Sequence, residues 1–206
     1  MSIWSKQEIF AGLRSFEPSL CIQPLLSDDQ VNDTTVDLRL GYDFLVSILT
    51  RNACIDISGN AAAGNTDLSS HFQETRREMG APFVLYPNQL VLVTTLEYIS
   101  LPADTYADIF PRSSYSKLGV ALGGMLQPGY RGCIPLELLN HGNVPVTLTV
   151  GTRICQMRLM RCGLSFNYHS QVDPRKYFAQ VRPSVSKAST DSDIAKLRAL
   201  PRMLDL

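Results

Sequence analysis

Apolar and polar residues alternate along the chain with the period of two that is typical of β-strands. Val36, Leu38 and Leu40 fall on one side of such a segment, and Asp37 and Arg39 fall on the other. Short apolar runs with turn residues between them follow at close intervals, among them "FVLY", "LVLVTTLEYI", "CIPLELL", "VPVTLTV" and "RICQMRLM". This rhythm predicts an all-β barrel or double sheet that no long helix interrupts.

Two helical patterns lie near the two ends of the chain. Ser5 and Glu8 have the spacing of a capping box, and Ile9, Phe10 and Leu13 share one side of the segment that follows. The pattern predicts a short amphipathic helix over residues 5–13. A second helical pattern covers residues 191–200.

Two segments are poor core material. Residues 58–80 are small and polar and then charged, which indicates a surface excursion and is compatible with a short helix that ends at Gly80. The chain from residue 171 to 206 is polar and rich in proline, and its pattern fits either a disordered tail or a lid. We therefore predict one main domain over residues 1–170 and a C-terminal arm over 171–206.

The charge balance excludes several classes of partner. The 206 residues carry 19 basic and 19 acidic side chains, so no global field attracts a nucleic-acid polymer or an anionic membrane. No apolar run approaches the roughly 20 residues of a membrane span, and the first residues, "MSIWSKQEIF", lack the order of a secretion signal. We expect a soluble, cytoplasmic protein in which any recognition of phosphate is local.

The cysteines and histidines do not form a recognisable metal site. The five cysteines are an odd number without a CxxC pair, and several lie in apolar, strand-like surroundings. The three histidines are scattered. We expect buried free thiols, and we expect no zinc.

The stretch "PRSSYSKLGV" concentrates donors of hydrogen bonds. Arg112, Ser113, Ser114, Ser116 and Lys117 supply two cations and three hydroxyl groups just after a run that is typical of a strand. Converging hydroxyls, backbone N–H groups and cations suit a triphosphate. The alternative is a solvated, serine-rich turn with an incidental arginine and lysine.

A second segment, "GGMLQPGYRGCIPLELLN", contains an unusual carboxylate. Glu137 lies between Leu136 and Leu138 in an apolar strand, on the face opposite to them. If that face is enclosed, desolvation raises the pKa of the carboxyl group and prepares it to transfer protons near neutral pH. The alternative is a wet strand face on which Glu137 pairs with Arg131. The preceding turn places Tyr130 where its ring could offer a flat face to a sugar or base.

Taken together, these segments resemble the deoxycytidine triphosphate (dCTP) deaminase family, which shares its fold with the trimeric deoxyuridine triphosphatases (dUTPases). The resemblance runs through "TTVDLRLGYDF", "YPNQLVLVTTLEYISLPAD", "PRSSYSKLG", "QPGYRGCIPLELLN", "GTRICQMRL" and "KYFAQVRPSVSK". It implies a mainly β, dUTPase-like barrel or double sheet of the β-clip type, with short helices. It also implies that the C-terminal arm closes over the nucleotide.

The resemblance further implies the hydrolytic deamination of dCTP to dUTP and ammonia, with Glu137 as the proton shuttle. Magnesium would accompany the triphosphate and would not contact the reacting carbon. The site would lie between the subunits of a homotrimer, and dTTP is a further candidate ligand beside dCTP and dUTP. The residues implied to bind the nucleotide and its phosphates are Arg112, Ser113, Ser114, Lys117, Gln127, Tyr130, Tyr168, Lys176 and Gln180.

Three features depart from the family pattern. Lys117 stands where the family usually has arginine, so the charge is kept without the planar fork that binds two oxygens. Gln127 stands where the family commonly has aspartate, and an amide can bind a sugar hydroxyl but cannot act as a base. The segment from Val120 to Gly123 is about three residues shorter than the deaminase pattern, and a displacement of about 1 Å in a site can cost a hundredfold in rate.

These departures leave a second function class open. A homologue that binds a deoxynucleotide without turning it over would keep the phosphate turn and lose the chemistry. A third reading, release of pyrophosphate from dUTP or dCTP, disagrees with Gln127 because that reaction needs a base to activate water.

Overall fold

The computed structural model describes residues 2–15, 20–51, 54–55, 57, 68–166, 168, 175–191, 193, 196–197 and 200. Strands dominate these residues and the helices are short, which confirms the predicted mainly β fold class. The strands are β1 (Ser2–Ile3), β2 (Cys21–Gln23), β3 (Val36–Ser47), β4 (Phe72–Arg76), β5 (Pro82–Leu85), β6 (Leu90–Ser100), β7 (Thr105–Pro111), β8 (Val120–Ala121), β9 (Gly124–Leu126), β10 (Arg131–Asn140), β11 (Val146–Thr149) and β12 (Arg153–Arg161).

The N-terminal helix forms where the capping box predicts it. Helix α1 covers Lys6–Arg14. The backbone N–H of Ser5 donates to the Glu8 carboxylate (2.8 Å), and the Glu8 N–H donates to the Ser5 hydroxyl (3.4 Å). Further described helical segments are α2 (Ser113–Ser116) and the 3₁₀ segments Asp28–Gln30, Leu68–His71 and Ala188–Thr190. Residues 193, 196, 197 and 200, within the helical pattern of 191–200, are also helical.

The main sheet is curled. In the described part of the chain its strand order is β8-β10-β6-β3-β12-β7-β9, with β2 added to β6, β4 to β3 and β1 to β12, and β5 pairs separately with β11. The two ends of this order, β8 and β9, are joined by only Leu122 and Gly123. Because two residues span at most about 10 Å, the two ends of the sheet lie close together.

Register shifts help the long strands to bend. β3 shifts against β6 between Leu40 and Phe44, and β10 shifts between Cys133 and Pro135. The enclosed core contains Phe44, whose ring stacks on Phe83 with centroids 4.1 Å apart.

One face of β3 differs from the prediction. Val36, Leu38 and Leu40 are fully buried, as the alternation requires, but the residue between the first two, Asp37, is also only 2% exposed. Alternation of this kind is typical of a half-buried strand, but here polar side chains cover Asp37 on the second face as well. The neighbouring Arg39 is half-buried.

The predicted surface excursion is partly a strand. Residues 58–67 lie outside the described part, whereas Phe72–Arg76 forms β4 and pairs antiparallel with β3 from Asp43 to Ser47. The segment does not form the short helix ending at Gly80 with which its pattern is compatible, because the backbone groups of Phe72–Arg76 find partners on β3. Gly80 itself lies in a turn with φ +82°.

The five cysteines are free thiols, but the expected burial holds only for Cys133 and Cys155, because Cys21 and Cys162 are half-buried and Cys54 is exposed. Among the residues described, no helix combines the length and apolar character needed to cross a membrane.

Candidate active site

Glu137 lies in the middle of β10, and its neighbours alternate as the sequence predicts. Leu136 and Leu138 are buried in the core, whereas Glu137 lies on the other face and is exposed in the single chain. The antiparallel pairing of β10 with β6 places Glu137 opposite Leu92. The carboxylate therefore leaves the core but stays beside an apolar side chain of the next strand.

The Glu137 side chain lines a cavity of about 390 Å³. Most of the lining is apolar, and the arm contributes the hydroxyl groups. Such a concave, mainly apolar site with few polar groups is the usual form of a small-ligand pocket. The lining residues are Ile55, Ile57, Leu68, Phe72, Leu90, Leu92, Pro135, Glu137, Tyr177, Ser184 and Ser186.

Desolvation by these walls raises the pKa of the Glu137 carboxyl above the usual range of glutamate. A hydrogen bond from the residue's own backbone opposes the effect and is weaker. Among the described residues, no ion pair joins Glu137 to Arg131, so the pairing proposed in the alternative is absent, whereas the strand face that carries Glu137 is exposed in the single chain. The carboxyl group is thus suited to hold a proton between two steps of a reaction.

The arginine–serine turn directly follows β7. Ser113 and Ser114 open the short helix α2, and their side chains and that of Lys117 are exposed. The turn is anchored from beneath, because the Arg112 N–H donates to the Ile154 carbonyl (3.0 Å). Its hydroxyl groups and cations therefore project from a fixed backbone.

The guanidinium group of Arg112 is held on its inner side. Its Nε lies 3.6 Å from the Asp37 carboxylate, and its Nη1 donates to the Arg153 carbonyl (3.3 Å). The side chain is 38% exposed, so part of the fork still faces solvent.

Gln127 and Tyr168 line a second cavity, of about 410 Å³. Tyr106, Asp108 and Arg175 contribute to the same cavity. The two predicted nucleotide-binding residues are thus brought together, but in a different cavity from Glu137.

Tyr130 is a core residue. It is 3% exposed, its hydroxyl donates to the Cys133 carbonyl (2.8 Å), and its ring meets Tyr168 edge-on. The open ring face that we expected for a sugar or base is therefore wrong for the single chain, because the ring is used in packing.

The arm is fixed to the start of β10. The Gln180 carbonyl accepts from the Cys133 N–H (2.7 Å), and the Ala179 N–H donates to the Arg131 carbonyl (2.9 Å). The arm passes so close to Gly132 that a Cβ there would lie 2.7 Å from the Gln180 oxygen. A glycine at this position, with φ +141°, is therefore required for the approach.

The predicted phosphate ligands of the arm are occupied by neighbours. The Lys176 ammonium pairs with Asp191 and donates to the Lys187 carbonyl (3.2 Å). The Gln180 side-chain oxygen accepts from the Ser184 hydroxyl (2.9 Å). A phosphate would have to compete with Asp191 for Lys176.

The described chain therefore divides the predicted site into three parts. Glu137 lies in the first cavity with the Tyr177 ring, Gln127 and Tyr168 lie in the second, and the turn that begins at Arg112 lines neither.

Several contributors to these sites carry no sequence signal for that role, among them Asp37, Phe72 and Leu68. Asp37 was assigned only to a strand face, although it lies in the quoted stretch "TTVDLRLGYDF", and its role depends on partners distant in sequence. Phe72 and Leu68 belong to the stretch taken as an excursion, and no local signal connects them with β10.

A metal-binding cluster is not found in the described part of the chain, where no group of three or more His, Cys, Asp and Glu side chains could hold an ion. The acidic residue Asp37, which lies nearest to the Arg112 guanidinium, is already surrounded by donors.

Comparison with known families gives a match over most of the chain. Residues 3–162 match the family model described as dCTP deaminase-like. A protein of Methanosphaera stadtmanae named "dCTP deaminase, dUMP-forming" is 34% identical over 199 residues, which cover 94% of this chain and 98% of that protein. A protein of Haloarcula marismortui named "dCTP deaminase" is 35% identical over 180 residues, which cover 84% of this chain and 89% of that protein.

A solved structure has a similar fold. The 2'-deoxycytidine 5'-triphosphate deaminase of Agrobacterium tumefaciens superposes with a TM-score of 0.58 at 24% identity, over 76% of this chain and 47% of that one. At this identity the likeness concerns the fold, and it agrees with the mainly β architecture predicted from the strand rhythm.

Proposed function

Because the chain belongs to the dCTP deaminase-like family, we propose that it deaminates the cytosine ring of dCTP by hydrolysis, with Glu137 as the proton shuttle. The observation that carries the proposal is a carboxyl group with a raised pKa in a mainly apolar cavity. Curated relatives over most of the chain length are named dCTP deaminases, which supports the same reaction.

The reaction exchanges an amino group for a carbonyl oxygen. The Glu137 carboxylate takes a proton from water while the water oxygen bonds to C4 of the ring, and the carboxyl group then gives this proton to N3. A second proton, from the new hydroxyl group at C4, passes through Glu137 to the amino nitrogen. The C4–N bond breaks, ammonia leaves, and a carbonyl group remains at C4.

The apolar walls of the cavity assist both halves of this cycle. Phe72, Leu92 and Pro135 limit the water around Glu137, so the carboxyl group has a pKa closer to that of the groups with which it exchanges protons. The same walls provide a flat, apolar lining for a pyrimidine ring.

The phosphate groups would be bound by the turn at Arg112, with Ser113, Ser114 and Lys117, and by Lys176 of the arm once it leaves Asp191. Since the turn does not line the Glu137 cavity of its own chain, we propose that a neighbouring copy supplies it in a homotrimer. Magnesium, when bound to the triphosphate, would neutralise part of its charge.

The product distinguishes two versions of the function. Several relatives, including the one from Methanosphaera stadtmanae, are named as forming dUMP, which favours a second step that releases pyrophosphate. Gln127 favours dUTP as the final product, because its amide cannot take a proton from an attacking water. We propose dUTP as the product and dUMP formation as the second candidate.

Product analysis tests the proposal directly. The protein is incubated with dCTP and magnesium, and nucleotides are separated by chromatography while ammonia is measured. We expect equal amounts of dUTP and ammonia, loss of both in Glu137→Gln, and unchanged turnover in Glu74→Gln, which alters an exposed carboxylate on β4. Binding of dCTP without any product, even at high enzyme concentration, would identify the non-catalytic homologue instead, and dUMP with pyrophosphate would identify the two-step reaction.

A further inference from the structure

Asp37 is a buried carboxylate surrounded by donors. Its side chain is 3% exposed, and one oxygen accepts hydrogen bonds from the side-chain amides of Asn32 (3.0 Å) and Gln156 (3.0 Å). The other oxygen faces two guanidinium groups, with Arg112 Nε at 3.6 Å and Arg153 Nη1 at 3.8 Å. Each of these four neighbours presents a donor, which matches the acceptor oxygens of the carboxylate.

The two amides fix the direction of the Asp37 carboxylate. β12 carries Gln156 opposite Asp37 in register, and Asn32 precedes β3. The carboxylate is therefore held by the sheet itself, and its second oxygen is directed towards the start of the arginine–serine turn.

Arg112 is thereby oriented at two points. The ion pair with Asp37 and the hydrogen bond to the Arg153 carbonyl engage the inner side of the guanidinium group. The outer side remains accessible next to the exposed hydroxyls of Ser113 and Ser114. A guanidinium group held in this way can bind phosphate oxygens at a lower cost in side-chain entropy, because its orientation is already fixed.

We propose that Asp37 is a positioning residue, which acts through Arg112 to orient the donors of the phosphate turn towards the substrate's triphosphate. This inference rests on the proposed function, because it deepens the role of the same turn. Asp37 does not itself touch the nucleotide in this proposal.

Two effects of Asp37 on a bound anion oppose each other. Its negative charge repels phosphate, so neutralising it would strengthen binding if charge alone mattered. However, an asparagine would direct an N–H group at one of the four donors, and Arg112 would have to move. The loss of one oriented, charge-assisted contact costs more than a partly screened repulsion returns, so the orientation effect prevails.

The test measures the affinity of the protein for inorganic tripolyphosphate. The affinity for dCTP is measured in the Glu137→Gln background, in which dCTP is not turned over. We expect Asp37→Asn to weaken both affinities at least about tenfold, the equivalent of one hydrogen bond to a charged group. In wild-type protein that turns over dCTP, Asp37→Asn should raise KM while kcat changes less than about twofold, which is the pattern of lost uniform binding. A purely structural role would lower the melting temperature and leave KM unchanged.

A double-mutant cycle with Arg112→Gln assigns the effect to the arginine. If Asp37 acts through Arg112, Asp37→Asn causes no further loss in Arg112→Gln protein. The matched control is Asp29→Asn, which removes a carboxylate that binds Arg153 (2.6 Å) and does not contact Arg112. It should leave both affinities unchanged.

The milder variant Gln156→Met provides a second measurement if Asp37→Asn does not fold. It removes one amide that holds Asp37, at a half-buried position, and should weaken binding in the same direction by a smaller factor. Unchanged or tighter binding in these variants, or an equal loss with and without Arg112, would overturn the inference. If the wild-type protein does not turn over dCTP, but the effects of Asp37→Asn and Arg112→Gln on tripolyphosphate affinity are coupled, the inference about Asp37 stands. Only the proposed function is then refuted.

Discussion

Replacing Gly132 by alanine should separate the arm from β10 while leaving the sheet folded. The added Cβ would lie 2.7 Å from the Gln180 carbonyl oxygen and 3.1 Å from the Tyr130 hydroxyl, although ordinary contacts begin at 3.4 Å. The Gln180 oxygen would have to move by about 0.7 Å, which breaks its 2.7 Å hydrogen bond from the Cys133 N–H and strains the neighbouring bond between Ala179 and Arg131.

The expected size of the effect follows from these two hydrogen bonds. At about 1 kcal/mol each, their loss weakens arm docking by about 2 kcal/mol, a factor of roughly 30. If the arm completes the site, kcat/KM for dCTP should fall by a similar factor. Amide hydrogen exchange in residues 176–187 should become faster by up to the same factor.

A glycine elsewhere separates steric contact from backbone strain. Gly80 has φ +82° and no atom within 4 Å of the position that a Cβ would take, so Gly80→Ala introduces only the strain of a positive φ, about 1–3 kcal/mol. Both variants should lower the melting temperature, and only Gly132→Ala should release the arm. Unchanged hydrogen exchange and unchanged kcat/KM in Gly132→Ala would show that the arm is not held there.

Two further predictions concern the cavity and the arm. Because desolvation raises the pKa of Glu137, the base form is lost as pH falls through a value above the usual glutamate range. Leu92→Asn hydrates the carboxylate and should shift the acid limb of the kcat/KM profile to lower pH, and an unshifted limb would contradict the desolvation argument. Asp191→Asn releases the ammonium of Lys176, and calorimetry at low salt should then show roughly threefold tighter binding of tripolyphosphate. The gain should be smaller at high salt, because salt screens an exposed ion pair. Equal affinities of the variant and the wild type would show that Asp191 does not compete with the ligand.

Features set by neighbours in sequence were predictable. The capping box of Ser5 and Glu8 depends on residues three apart, and α1 begins where they place it. The position of Glu137 on the face opposite Leu136 and Leu138 follows from the period of two alone. These patterns are local, so no knowledge of the fold is needed to interpret them.

Features set by distant partners were not predictable from the residues alone. The sequence predicts a surface excursion where β4 lies, because its polar residues become a strand only through pairing with β3. The sequence predicts that Tyr130 offers its ring to a sugar or base, yet its hydroxyl donates to the Cys133 carbonyl inside the core. The burial of Asp37 depends on Gln156, more than a hundred residues away in the chain.

The link of Leu122 and Gly123 gives the fold a natural point for redesign. In the ladder between β8 and β10, Ala121 lies opposite Leu139, so two more paired residues would bring position 123 level with Glu137. The chain instead crosses at once to β7. Lengthening the crossover by a few residues would extend a hairpin alongside the Glu137 carboxylate, and under the proposed function a library of such insertions would vary which ring substituents fit there.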